Sequence, residues 1–290
     1  MNLDGLLVPT VTPFDSKGAI AWEILEAQVE HLIGAGAAGI VACGTTGEYY
    51  ALSDGERADV LEFVAERLGD RALRIAGIND LSTAGCIRRA ETAAAMHYQA
   101  VMVSPPAYSL PGQAEIEAHF HDLAEATELG IILYNFPQRT GVDIAVDTVA
   151  SLARLPNIVG IKESSGDFSR LLPLLELEND HFQLICGCDD QAADYLFWGV
   201  RSWISGSGNF LAPEQADMIR AAEAGDWRLV RELMWTMLPV ITSMEGADYN
   251  QKAKLGCRRH GIEAGPVRPP LRDLSDEQAA AFRELVEALS

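Results

Sequence analysis

The chain has 290 residues, of which 48% are hydrophobic and 22% charged, and its formal net charge is −20. Such a length accommodates one large domain, or a barrel with a small appendage, and the composition is that of an ordinary soluble globular enzyme. The acidic excess argues against nucleic acid and anionic membrane surfaces as partners, although a few local cations in a pocket suffice for a small anion.

The N-terminal stretch, Met1 to Phe14, has no basic region and too short an apolar run to read as a signal peptide. No segment reaches the ~18 apolar residues needed to cross a bilayer. Leu6 to Val11 reads as a strand, and Trp22 to Ile33 as an amphipathic helix that stops at Gly34 and Gly36. Gly39 to Cys43 is a second strand. The helix behind it starts at a capping box, with Ser53 as N-cap and Glu56 three residues on. Arg74 to Ile78 and Ser82 to Met96 make a third strand and helix, and Ala100 to Val103 and Gln113 to Glu128 a fourth pair. Ile131 to Asn135 and Val146 to Arg154 make a fifth. Asn157 to Lys162 is a sixth strand, β-branched and apolar until it stops on a lysine, with a helix near Phe168 to Leu177. Phe182 to Cys186 and Ser202 to Ser205 are the last strands, followed by helices near Gln191 to Trp198 and Glu214 to Ala224.

Eight strand-then-helix units at ~25–30 residue spacing predict a (β/α)8 TIM barrel over residues 1–224. An open doubly wound sheet also alternates strand and helix, but the count and the lack of a dinucleotide fingerprint favour closure. Residues 225–290 predict a helical appendage packed on the barrel: Trp227 to Met244, Asp248 to His260 and Asp276 to Leu289, broken by Gly261, Gly265 and Pro266. The five cysteines are odd in number and scattered, which fits a reducing cytoplasm better than a disulfide framework.

In such a barrel the chemistry sits at the C-terminal ends of the strands. Lysine is scarce: of 22 basic residues only Lys17, Lys162, Lys252 and Lys254 are lysines. Lys162 alone ends a buried strand. A lysine amine in apolar surroundings loses its proton more readily and then attacks a ketone to form a Schiff base. The competing reading pairs Lys162 with Glu163 or a rim carboxylate. Tyr134 ends the neighbouring strand and is either a proton relay or a core tyrosine. Gly44-Thr45-Thr46-Gly47 offers hydroxyls and backbone N–H groups, a suitable nest for a small carboxylate. Arg139 follows a proline turn and is either a carboxylate clamp or solvated. Gly187 lies at the end of the seventh strand. His119 and His121 diverge on a helix, so a metal site there is not expected. Cys186 and Cys188 read as buried thiols, and Asp189-Asp190 as helix caps. No phosphate-binding loop, zinc-protease helix or serine nucleophile elbow is present.

Taken in order, Val11-Thr12-Pro13-Phe14, Gly44 to Glu48, Tyr134-Asn135 with Pro137, Gly160-Ile161-Lys162-Glu163 and Gly265 to Leu271 resemble the dihydrodipicolinate synthase / N-acetylneuraminate lyase family over nearly the whole chain. The resemblance implies a barrel in which Lys162 forms an imine with pyruvate or a related 2-oxo acid, without metal or cofactor. It implies Tyr134 as the acid/base, Thr46 and the Ile204 backbone at the pyruvate carboxylate, and Thr45 and Tyr108 completing a proton relay. Gly187 would line the substrate site. In the family the second tyrosine crosses from a neighbouring subunit, which implies a dimer within a homotetramer. Arg139 favours condensation with a small aldehyde, L-aspartate 4-semialdehyde, as in 4-hydroxy-tetrahydrodipicolinate synthase and lysine biosynthesis. Ala107 before Tyr108, and Trp203 to Gly206, look more like relatives acting on 2-keto-3-deoxy sugar acids or hydroxyproline breakdown products. A non-catalytic binder of small acids is a third possibility, disfavoured because a sensor has no need of a desolvated amine beside a phenol.

Overall fold

Each apolar run becomes a strand covered on both faces, as a parallel sheet wrapped by helices requires. The computed structural model describes residues 1–289. The strands are β1 (Gly5–Pro9), β2 (Gly39–Ala42), β3 (Leu73–Gly77), β4 (Ala100–Val103), β5 (Gly130–Asn135), β6 (Ile158–Glu163), β7 (Gln183–Cys186) and β8 (Ser202–Ile204). They pair in parallel in chain order, and β8 closes on β1 with Ile204 opposite Leu7. Closure removes the open edges that a doubly wound sheet would keep.

The helices are α1 (Trp22–Gly34), α2 (Asp54–Leu68), α3 (Thr83–Ala95), α4 (Gln113–Ala126), α5 (Pro137–Thr140), α6 (Val146–Leu152), α7 (Leu171–Leu175), α8 (Ala192–Phe197), α9 (Gly208–Glu223), α10 (Trp227–Gly246), α11 (Tyr249–Gly256) and α12 (Asp276–Glu287). The predicted capping box of α2 is formed in both directions, with Ser53 and Glu56 exchanging hydrogen bonds. Helix α9 starts at Gly208 rather than Glu214. Its first turn has weak propensity of its own and is ordered by burial: Phe210 is enclosed, and the Asn209 amide donates to Pro9 O and Gly206 O. No helix among the described residues is long and apolar enough to cross a membrane.

Two apolar layers result. Leu7, Val41, Ile75, Met102, Ile132, Ile185 and Ile204 fill the barrel interior, and a larger layer lies between strands and helices. A bulge in β6 decides which side chains belong to which layer. Pairing steps from Ile131–Ile158 to Ile132–Gly160, so Val159 is the extra residue. A bulge shifts the in/out alternation by one. Beyond it Ile161 joins the outer layer, while Lys162 stands opposite Tyr134 on the interior side. Gly160 suits this close approach, since a Cβ there would lie 2.6 Å from Gln183 O.

Three sequence motifs far apart in the chain converge under the barrel mouth. Glu48, in the left-handed region at φ 54°, is fully buried, 2.5 Å from Lys254 Nζ, and accepts from Arg268 N. Lys254 also donates to Pro266 O, and Lys254 and Arg268 each lie 4.1 Å from the centroid of the Phe14 ring. The Arg268 guanidinium forks onto Glu56 and holds that carboxyl down to about 2. This cluster ties the C-terminal helices to the loop after β2.

Candidate active site

Because β5 and β6 are in register at their ends, Tyr134 and Lys162 stand side by side at the rim, 5% and 6% exposed. Lys162 Nζ lies 4.5 Å from the centroid of the Tyr134 ring. The ion pair with Glu163 is not formed. Glu163 faces the opposite side of the strand, accepts from the Asn135 amide, and pairs with Arg170 Nε at 3.0 Å. Among the described residues no carboxylate lies within ion-pair distance of Lys162.

Lys162 and Tyr134 form part of the wall of a cavity of about 580 Å3, shared with Thr45, Thr46, Gly187 and Arg139. Thr46 is buried and Thr45 half-buried. Arg139 comes from α5, with Cζ 5.5 Å from the Phe136 ring centroid and its head exposed to the cavity. Gly187 is required by contact: a Cβ would lie 2.8 Å from Lys162 Cγ and would run into Ser164 Oγ. The Ile204 side chain belongs to the barrel interior, and the wall beside it is Gly206. A Cβ at Gly206 would sit 2.5 Å from the Tyr249 hydroxyl and 3.0 Å from Thr46 Oγ1. Tyr108 is not brought to this cavity within the chain. It is 93% exposed on the loop after β4, at φ 70°.

Asp189 does not cap a helix. It is buried behind the cavity, where it accepts from Trp203 Nε1 at 2.9 Å, Ser207 Oγ at 2.6 Å and Tyr249 Oη at 3.1 Å. With the Ser207 backbone N–H at 3.2 Å there are four convergent donors, which satisfy a buried carboxylate better than one helix end would. Trp203 is thereby held in the outer layer, away from the cavity. Cys186 is buried, but Cys188 is half-buried and lines the cavity together with Asp190. Burial pushes the Cys188 thiol up to about 12, which disfavours its thiolate. His119 is buried with Nδ1 2.9 Å from Thr83 Oγ1, and burial holds it down to about 4. Among the described residues no group of three or more His, Cys, Asp or Glu side chains is placed to hold a metal ion.

Sequence reasoning missed one side of the cavity. Glu245, Asp248, Tyr249 and Asn250 reach it from the junction of α10 and α11. The Asn250 amide donates to Thr45 O at 3.0 Å and Tyr50 Oη at 2.9 Å, fixing the threonine loop. Burial between these walls, then the neighbouring Asp189 and Asp190, push the Glu245 carboxyl up to about 7 against the pull of Lys162 and Arg139. The side chain keeps solvent access through the open cavity, which limits that rise. The available signal was the abrupt end of a long amphipathic helix at Glu245-Gly246.

The model of the dihydrodipicolinate synthetase family matches residues 2–289. A 4-hydroxy-tetrahydrodipicolinate synthase of Listeria monocytogenes is 34% identical over 292 residues, covering 100% of both chains. One from Oceanobacillus iheyensis is 33% identical over 278 residues, covering 96% of this chain and 94% of the relative. Among solved structures, a dihydrodipicolinate synthase of Bacillus anthracis superposes with a TM-score of 0.96 at 30% identity, covering 99% of this chain and 98% of its own. The chloride-inhibited synthase of Acinetobacter baumannii, complexed with pyruvate, gives 0.95 at 30% identity over 99% of each chain. The chain belongs to the dihydrodipicolinate synthetase family.

Proposed function

We propose that the protein is a 4-hydroxy-tetrahydrodipicolinate synthase that joins pyruvate to L-aspartate 4-semialdehyde through an imine on Lys162. The observation that carries this is the Lys162 amine, buried at the rim of β6 beside the Tyr134 ring and inside the cavity it shares with Thr45, Thr46 and Arg139. The neutral amine adds to C2 of pyruvate, and the carbinolamine loses water to give the iminium. The pyruvate carboxylate rests against Thr46 and the backbone that follows β8. Loss of a C3 proton gives the enamine, whose C3 attacks the aldehyde carbon while the carbonyl oxygen takes a proton. The substrate amine, having lost a proton, then adds to C2, closes the ring and displaces the Lys162 amine. Water from imine formation is the only by-product, and no metal or cofactor is needed.

Tyr134 ferries these protons, with Thr45 beside it, and a phenol suits both directions of transfer. Arg139 takes the carboxylate of the aldehyde. Gly187 leaves space for the Lys162 stem and the bound pyruvate. Tyr108, exposed with Leu110 on the loop after β4, completes the relay in a second subunit of a dimer within a homotetramer. Five free cysteines suit a reducing cytoplasm.

Borohydride added with pyruvate is expected to leave a stable adduct on Lys162, located by peptide mass spectrometry. Unmodified Lys162 after that treatment sinks the imine reading. Polar groups along the outer cavity, Gln138, Asp190 and Gln191, suit hydroxylated substrates and keep a second reading open, a lyase or dehydratase of 2-keto-3-deoxy sugar acids or a hydroxyproline-catabolic deaminase. Turnover of 2-keto-3-deoxygluconate without turnover of aspartate semialdehyde would select it.

A further inference from the structure

Glu245 has no role in the chemistry described above, yet it stands in the same cavity as Lys162 and Arg139. It is the last side chain of α10 before Gly246, and the apolar stripe of that helix (Met237, Val240, Ile241, Met244) is buried, which fixes where the helix ends. Asp190 lines the cavity as well, and Asp189 lies buried behind the wall. Arg139 enters the cavity from α5. The cavity beyond Lys162 is thus bipolar, with one guanidinium from one loop and carboxylates from the turns after β7 and α10.

A ligand carrying only carboxylates fits half of this arrangement. Its anionic end meets Arg139, but any second anion shares the cavity with Glu245 and Asp190, and like charges repel. A ligand with a carboxylate and an ammonium group satisfies both sides. We propose that Glu245 is a specificity-determining residue that accepts the ammonium of an amino-acid aldehyde whose carboxylate Arg139 holds. This rests on the imine reading of Lys162, and it gives a partner to an acidic side chain whose charge Asp189 and Asp190 make costly. The raised Glu245 carboxyl agrees with that cost, since a bound ammonium relieves it.

The test compares E245Q with the unaltered enzyme on two aldehydes, L-aspartate 4-semialdehyde and succinate semialdehyde, which keeps the carboxylate and lacks the amine. Borohydride trapping with pyruvate alone reports on Lys162 separately. E245Q is expected to give the same pyruvate adduct. Its kcat/KM for aspartate semialdehyde should fall about tenfold to hundredfold, mainly through KM, as loss of a charged hydrogen bond implies. Its inhibition constant for succinate semialdehyde should change little. An equal loss for both aldehydes, or no loss for either, overturns the proposal. Loss of pyruvate trapping in E245Q alone also overturns it, by placing Glu245 at the imine step. Failure of trapping in the unaltered enzyme is a different result, which removes the imine reading itself.

Discussion

At the scale of single residues, the barrel mouth is governed by what small side chains leave open. Gly187 is the sharpest case, because it has an ordinary φ and is required by contact alone. A methyl group there meets the Lys162 stem at 2.8 Å and the Ser164 hydroxyl closer still. Gly187→Ala is expected to displace Lys162 and to cut kcat by about 100-fold, the scale of an ångström-sized misplacement of a reacting group. The rate of borohydride trapping should fall with it. Gly34→Ala is the matched control, since a Cβ at Gly34 meets nothing within 4 Å and its φ is not positive. It should leave both rates unchanged. Asp189 teaches the converse lesson. Next to a short helix it reads as a cap, yet in the fold it serves Trp203, Ser207 and Tyr249.

At the scale of elements, two local departures from regularity build the site. The bulge at Val159 reverses the alternation of β6 and so directs Lys162 inward. In an unbroken strand with Val159 inside, Ile161 would face inward and Lys162 the helices. The second departure is Glu48, whose left-handed backbone carries its carboxylate beneath the loop of Thr45 and Thr46 to meet Lys254. Both partners are buried, with side chains 2% or less exposed. Lys254→Met strands the Glu48 carboxylate and is expected to destabilise the protein by about 3–5 kcal/mol, read from urea unfolding. The double variant with Glu48→Gln should lose less than the sum of the single changes, because the stranded charge is then gone. An additive result would mean that the pair is not coupled.

At the scale of the whole molecule, one chain presents Lys162 and Tyr134 together but leaves Tyr108 at the surface. A tyrosine contributed across a two-fold interface makes a strong prediction for mixed subunits. Lys162→Ala and Tyr108→Phe chains are each expected to be nearly inactive alone. Unfolded together and refolded as random dimers, they should recover about a quarter of full activity, since half of the dimers hold one intact site. If Tyr108 served its own chain, the mixture would recover nothing, because each site would carry one defect. Sedimentation equilibrium on the same samples gives the subunit number.

Much of this molecule was legible in the chain because its signals are local. Apolar runs of strand length alternating with amphipathic helices specify eight βα units, and a lysine ending the sixth run marks the rim of β6. Those features depend on residue type and short-range periodicity, which a sequence displays directly. Other features depend on closure, which brings distant residues to one place. Glu245 comes to share a cavity with Lys162 and Arg139, Asp189 reaches Tyr249, and Glu48 finds Lys254. No periodicity encodes such pairs, because the distances between them are set by strand register, by a single bulge and by the path of the C-terminal helices. The chain by itself therefore determined the barrel and the lysine at the rim of its sixth strand, whereas only the tertiary structure decided which charges share a cavity with that lysine.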